Sequence, residues 1–304
     1  MNSFSVTILG SSSALPTSQR FPTSQVVRFN EQLFLVDCGE GTQIQLRKYK
    51  FKMGRINHIF ISHLHGDHIY GLPGLISSLS LYGKKGELHI YSHSDLQPMM
   101  EGMMKFMNEI TELKVKYHPL NFRRNSLLYE DKKIRITSFP LKHRISCCGF
   151  LFQELVPELH LDKHALEIYD IPVSQRLNIK HGADLVLPDG SVVPNRELTL
   201  APIPTRSYAF CTDTLFMKNI VPTIEGVSLL YHEATFAGDL EDLAKKTFHS
   251  TSLQAARMAK LANVKKLVIG HFSSRYNDVE PLVEEARTVF PETLAANDGD
   301  CFEL

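Results

Sequence analysis

In the string Ser62-His63-Leu64-His65-Gly66-Asp67-His68, three imidazoles and one carboxylate fall within six residues. The string closes the apolar, β-rich run His58-Ile59-Phe60-Ile61, which reads as a strand ending in a loop. Alternate residues on such a strand-to-loop turn point the same way, so His63 and His65 share a direction. Gly66 then lets the chain fold so that Asp67 and His68 reach a neighbouring position. Neutral imidazole and carboxylate suit zinc, and the lack of a nearby Cys-x-x-Cys argues against a thiolate structural site. The chemistry expected of such a cluster is activation of water on a metal.

The elements that must position these groups follow from the alternation of apolar patterns. Strands are expected at SVTILG (5–10), EQLFLVDC (31–38), HIFISH (58–63), ELHIYSH (87–93), LKVKYHPLN (113–121) and KKIRITSFPLKH (132–143). They resume at SYAFCTDT (207–214), SLLYHEATF (228–236) and KKLVIGH (265–271). Helices are expected at 41–50, 71–83, 94–110, 239–246, 250–262 and 279–290. Ser94 reads as the N-cap of the third, and Ser250 or Thr251 as that of the fifth. Met99, Met100, Met103 and Met104 read as core packing. The alternation indicates an α/β layer architecture, and a loose strand–helix rhythm shared by the two halves suggests a duplicated sandwich. From about Glu154 to Arg206 the rhythm lapses. That stretch holds Pro157, Pro172, Pro188, Pro194, Pro202 and Pro204, with a turn at Pro188-Asp189-Gly190. It is too long for an ordinary connection and reads as an excursion with its own function or a partly ordered loop.

HxHxDH is the signature of the metallo-β-lactamase superfamily. More narrowly, ILGSSSALPTSQR, FLVDCGEGTQ, ISHLHGDHIYGLPGL, LKH before CCGF, CTDT, HEATF, HSTSLQAA and HFSSRY, in this order and spacing, resemble the ribonuclease Z family. These segments span nearly the whole chain. The resemblance implies a four-layer αβ/βα sandwich of one domain, 1–304, with a protruding arm inserted at about 154–206. It implies a hydrolase that removes the 3′ trailer of precursor tRNA, leaving a 3′-hydroxyl on the tRNA and a 5′-phosphate on the trailer.

Carried over by residue, it implies two zinc ions per subunit. His63, His65 and His143 would hold one; Asp67, His68 and His271 the other; Asp213 would bridge them. His143, Asp213 and His271 each end an expected strand, the rim of an α/β sandwich where distant segments converge. Asp67 would take or orient the proton of the attacking water. Glu233 and His249 would form a pair in which the carboxylate raises the histidine so that it donates a proton. A homodimer is implied as well. The loop Ser11–Phe21, with Pro16, Thr17 and Arg20, is expected at the tRNA end, although Phe21 stands where the family commonly has Asn. The arm lacks the family's Gly-Pro turn, reading Ile171-Pro172-Val173-Ser174, and interleaves its Lys and Arg with acids.

Composition narrows the alternatives. With 304 residues, 43% hydrophobic and 22% charged, the chain reads as globular rather than disordered or fibrous. Its balanced 33 basic and 33 acidic side chains mean that any nucleic-acid site must be a local patch. No run is long and apolar enough for a membrane span, and the start reads as strand and loop rather than a signal peptide. Five irregularly spaced cysteines (38, 147, 148, 211 and 301) indicate reduced thiols and a cytoplasmic location. The rival readings are a zinc phosphodiesterase for small diesters or other RNAs, a thioester or lactam hydrolase, and a metal-stabilised scaffold. An arm of this length discriminates against the first, HEATF and HST against the second, and the filled ligand positions against the third.

Overall fold

Buried strands joined by amphipathic helices have few stable arrangements, one of which sets two sheets face to face with helices covering their outer faces. The computed structural model, which describes residues 3–107, 112–156, 158–201 and 204–304, adopts it. The strands in chain order are β1 (Phe4–Gly10), β2 (Ser24–Phe29), β3 (Gln32–Val36), β4 (Ile56–Phe60), β5 (Gly86–Ser92), β6 (Leu113–Pro119), β7 (Ser126–Glu130) and β8 (Ile134–Lys142). They continue as β9 (Ser146–Glu154), β10 (Leu185–Val186), β11 (Val192–Val193), β12 (Ser207–Cys211), β13 (Leu229–Glu233), β14 (Leu267–Gly270), β15 (Thr293–Ala295) and β16 (Cys301–Glu303). One seven-stranded sheet runs β16-β1-β2-β3-β4-β5-β6, the other β15-β14-β13-β12-β9-β8-β7. In each sheet one run is parallel, β3 to β6 and β12 to β15, so their carboxyl ends share a rim.

Aromatic side chains fill the space between the sheets. Phe34 meets Phe152 at 5.9 Å between ring centres, and Phe60 meets Phe150 at 5.6 Å. On the outer face of the first sheet, the helix Leu72–Leu81 buries Leu72, Leu75, Ile76 and Leu79, one apolar stripe at helical spacing. On the second, the helix Ser252–Leu261 buries Ala255, Ala256, Met258 and Ala259 against β13 and β14. Each fully buried aliphatic or aromatic side chain contributes roughly 1.5–3 kcal/mol.

Two local readings of the sequence change. The third helix begins at Leu96, so Ser94 lies one residue outside the cap and its hydroxyl meets the Asp95 carboxylate at 3.3 Å instead. Of its methionines, Met100 is fully buried and Met104 packs against the core, while Met99 and Met103 face solvent. A helix with one buried side cannot bury adjacent residues equally. Residues 108–110 of the expected helix lie outside the described residues. The fifth helix starts as expected at Thr251, in a capping box with Gln254.

Residues 131–134 and 153–205 form a second compact unit. It has its own small core of Ala165, Ile171, Ile179, Leu185, Val193 and Leu198. Pro172 and Pro194 start helices here, at Val173–Lys180 and Asn195–Leu198, rather than breaking structure. The Pro188-Asp189-Gly190 turn joins β10 to β11, with Gly190 at φ 86°. The prolines that read as loop markers therefore punctuate a folded unit. Pro157 and Pro202 lie outside the described residues.

Candidate metal centre

The residues singled out from the sequence converge on the shared rim of strand ends. His63 and His65 follow β4, His143 follows β8, Asp213 follows β12, Glu233 ends β13 and His271 follows β14. Asp67 and His68 lie on the short helix Gly66–Ile69 directly after the His63–His65 turn. The loop after β3 must pass close behind it. An ideal Cβ on Gly39 would stand 2.5 Å from the Asp67 carbonyl oxygen, so only glycine fits. His271 (φ 60°), Phe248 (φ 63°) and Asp37 (φ 55°) hold left-handed backbone at the site, a cost of roughly 1–3 kcal/mol each that the packed surroundings sustain.

The side chains form two groups that share one carboxylate. In the first, His65 Nδ1 lies 3.0 Å from His63 Nε2 and 3.1 Å from His143 Nε2, and Asp213 Oδ2 lies 3.6 Å from both Nε2 atoms. In the second, Asp67 Oδ2 lies 3.3 Å from His68 Nε2 and 3.4 Å from His271 Nε2. The other oxygen of Asp213, Oδ1, lies 3.5 Å from His68 Nε2 and 3.1 Å from His271 Nε2. These spacings match the edge of about 3.3 Å of a tetrahedron with metal–ligand bonds of about 2.0–2.1 Å. The Nε2 atoms of His68 and His271 are buried and have no hydrogen-bond partner among the described residues, which a cation would remedy. The donor set therefore fits zinc.

The second ring nitrogen of four of these histidines is occupied. His68 Nδ1 donates to Asp37 Oδ2 (2.8 Å) and His143 Nδ1 to the Phe248 carbonyl (2.9 Å). His63 Nδ1 donates to Ser62 Oγ (3.0 Å), which itself donates to Asp37 Oδ2 (2.9 Å). His271 Nδ1 donates to Thr235 Oγ1 (2.9 Å), which itself donates to Glu233 Oε2 (2.7 Å). These bonds fix each ring and leave Nε2 for a metal. Asp37, Ser62 and Thr235 had no role in the sequence reading. The one available signal was their position beside VDCGEG, SHLH and HEAT.

Electrostatics separate His68 from His63, His65 and His143: against its burial, Asp67, Asp213 and Asp37 raise it well above the ordinary imidazole value, so a metal there would displace its proton. Burial pushes His63, His65 and His143 below the ordinary imidazole value, so they stand neutral as ligands must. Burial also disfavours charge on Asp67, yet the adjacent His68 holds its carboxyl well below the usual range. Asp213 is likewise held down, against its burial, by His271, His68 and His63. His249 Nδ1 donates to Glu233 Oε1 at 3.0 Å and lies 4.0 Å from Asp213 Oδ2. Burial lowers His249, but the Glu233 charge and hydrogen bond outweigh it and raise the imidazole to about 9. Glu233 is fully buried and also accepts the backbone N–H groups of Thr214 and Thr235.

A cavity of about 530 Å³ opens onto Asp67, Asp213, His249 and His271. Ser13, Ala14 and Leu15 line it, and Ala14 N–H donates to Asp67 Oδ2 at 2.9 Å. Arg20, expected at the substrate, is turned inward instead. Its guanidinium donates to Ser11 Oγ, the Ala296 carbonyl and Asn297 Oδ1 at 3.1–3.3 Å and lies over the Phe272 ring. It braces the loop. His232, beside Glu233, is buried with Nδ1 on the Glu233 carbonyl and stands outside both groups.

The two facing mixed sheets, with ligands gathered at one rim, define a metallo-β-lactamase fold. The metallo-β-lactamase fold protein YhfI of Bacillus subtilis superposes with a TM-score of 0.71 at 20% identity over 100% of both chains. The ribonuclease Z of Bacteroides fragilis is 48% identical over 304 residues, 100% of either chain. The crystal structure of human tRNase Z, short form, matches with a TM-score of 0.71 at 28% identity and 98% coverage of both chains. The chain belongs to the ribonuclease Z family, and its residues 4–157 also match the family of the Anti-Pycsar protein Apyc1.

Proposed function

We propose that this chain is a zinc-dependent endoribonuclease that removes the 3′ trailer of precursor tRNA after the discriminator nucleotide. The observation that carries the reading is Asp213, whose two carboxylate oxygens face two separate ligand groups at the rim of a ribonuclease Z-family fold. His63, His65 and His143 would hold one zinc, Asp67, His68 and His271 a second, with Asp213 between them. Ions held there would polarise the scissile phosphate and acidify the attacking water.

The chain's own groups supply the rest. Asp67 orients that water and takes its proton as the oxygen bonds to phosphorus. The bond from phosphorus to the tRNA 3′ oxygen breaks. His249, protonated beside Glu233, gives its proton to that oxygen. The tRNA leaves with a 3′-hydroxyl and the trailer with a 5′-phosphate. The unit at 153–205 would be an arm inserted in a single catalytic domain, with the tRNA body as its ligand. A homodimer working in the cytoplasm completes the proposal. Among the described residues no helix is long and apolar enough to cross a membrane.

The test is cleavage of an end-labelled precursor tRNA with zinc and with chelator, mapped to the nucleotide. One chelator-sensitive cut after the discriminator, leaving a 3′-hydroxyl, is expected. Turnover of a small phosphodiester without that cut would transfer the function to the rival reading.

A further inference from the structure

Beside the catalytic cavity lies a larger one of about 1250 Å³. Small-ligand pockets take roughly 300–1,000 Å³, so this space suits a length of polymer better than a metabolite. The two cavities share His143 and Arg144, which makes them one path for a chain that crosses the metal centre. Arg123, Lys142 and Arg144 line the larger cavity with exposed side chains. Among the described residues no ion pair or side-chain hydrogen bond engages these three cations; the bonds they make are backbone ones, through the N–H groups of Arg123 and Lys142 and the Lys142 carbonyl. The acid of the lining, Asp95, faces His93 at 3.6 Å. His93 and Phe122, both half-buried, present rings with centres 5.5 Å apart, tilted by 35°.

Unpartnered cations along a groove with ring faces between them are the means of holding single-stranded nucleic acid: charge follows the backbone and bases stack on the rings. The polarity of the reaction decides which strand lies there. His249 meets the tRNA 3′ oxygen, and it lines the catalytic cavity but not the larger one. The tRNA body therefore lies on the His249 side, and the trailer continues past His143. On the ribonuclease reading above, we propose that the cavity of His93, Phe122, Arg123, Lys142 and Arg144 is the subsite for the trailer. It binds the unpaired nucleotides downstream of the cut by stacking and phosphate contact, without reading their sequence.

The test compares Phe122→Ala and Arg123→Ala with the unaltered enzyme on two precursor tRNAs. One carries a single-nucleotide trailer and the other a trailer of about ten. With the long trailer, KM should rise about tenfold for Phe122→Ala, the loss of one stacked base. For Arg123→Ala the slope of log kcat/KM against log salt should flatten by about 0.7, one phosphate contact on a single strand. Both variants should match the unaltered enzyme on the short trailer and on a small phosphodiester. A photoreactive 4-thiouridine at the third trailer position should cross-link to the Asn121–Arg123 segment, and one in the acceptor stem should not. Equal loss on both precursors, no loss on either, or cross-linking from the acceptor stem instead would overturn the subsite. Failure of the unaltered enzyme to cut either precursor would refute the ribonuclease reading itself, and the subsite with it.

Discussion

Glu233→Gln isolates the charge that keeps His249 protonated. Glutamine keeps the size of the side chain and one carbonyl oxygen, but removes the negative charge 3.0 Å from His249 Nδ1. In the intact site burial pulls the imidazole down and Glu233 more than restores it, to about 9. At pH 8 about nine-tenths of the molecules then carry the proton that the leaving oxygen needs. Without the carboxylate the imidazole falls toward its ordinary value of about 6.5, burial lowering it while Asp213 and Asp67 still raise it; at that value about 3% is protonated at pH 8. The sign is that of a raised histidine: the acid is present below its pKa and lost above it. Protonation alone therefore predicts a fall of up to about 30-fold at pH 8 and less than twofold at pH 6, with the alkaline limb moved to lower pH. Single-turnover cleavage of precursor tRNA across this range, at saturating zinc, keeps product release out of the comparison. A loss of equal size at pH 6 and pH 8 would refute the argument, because it would make Glu233 a brace for Thr214, Thr235 and His249 rather than a source of charge.

Three further outcomes are expected. Asp213→Ala removes the one carboxylate that faces both groups, so elemental analysis should find well under two zinc per chain; retention of two would end its bridging role. Asp37→Asn disturbs the bond that orients His68 and the hydroxyl that orients His63, and zinc affinity in chelator competition should fall about 10- to 100-fold. Unchanged affinity would make Asp37 a fold residue only. Deleting 154–206, with folding checked by circular dichroism, should spare hydrolysis of a small diester and weaken tRNA cleavage; equal loss on both would make the arm structural.

The ligand groups were legible because metal ligation restricts residue type severely. A run such as His63-x-His65-x-Asp67-His68 has few other uses, and the strand ends that carry His143, Asp213 and His271 stood out from their apolar runs. The orienting groups were not legible, since serine, threonine and aspartate serve everywhere and nothing in their spacing marks them. Three-dimensional packing brings out a parallel between the two sheets. After β3, Asp37 holds His68 directly and His63 through the Ser62 hydroxyl. At the end of β13, Glu233 holds His249 directly and His271 through the Thr235 hydroxyl. The same device supports both sides of the site. The loose rhythm shared by the two halves of the sequence hinted at the paired sheets but not at this.

Arg20 marks where one-dimensional reading misled, and the arm where it left two readings open. A cation in a polar loop looks available for phosphate, yet the acceptors that engage Arg20 include Ala296 and Asn297, 276 and 277 residues away in sequence. Proline-rich sequence looks irregular, yet Pro172 and Pro194 stand as N-caps just ahead of their helices, where a missing N–H breaks no intrahelical bond. The sequence by itself pointed to nine of the strands, to the covering helices and to the seven side chains that gather at the rim, because periodicity and residue chemistry are local properties. The tertiary structure decided which carboxylate oxygen faces which group, which hydroxyls aim the rings, and where the larger cavity meets the centre. Those are distances between segments far apart in the chain, and they exist only once the two sheets have closed on each other.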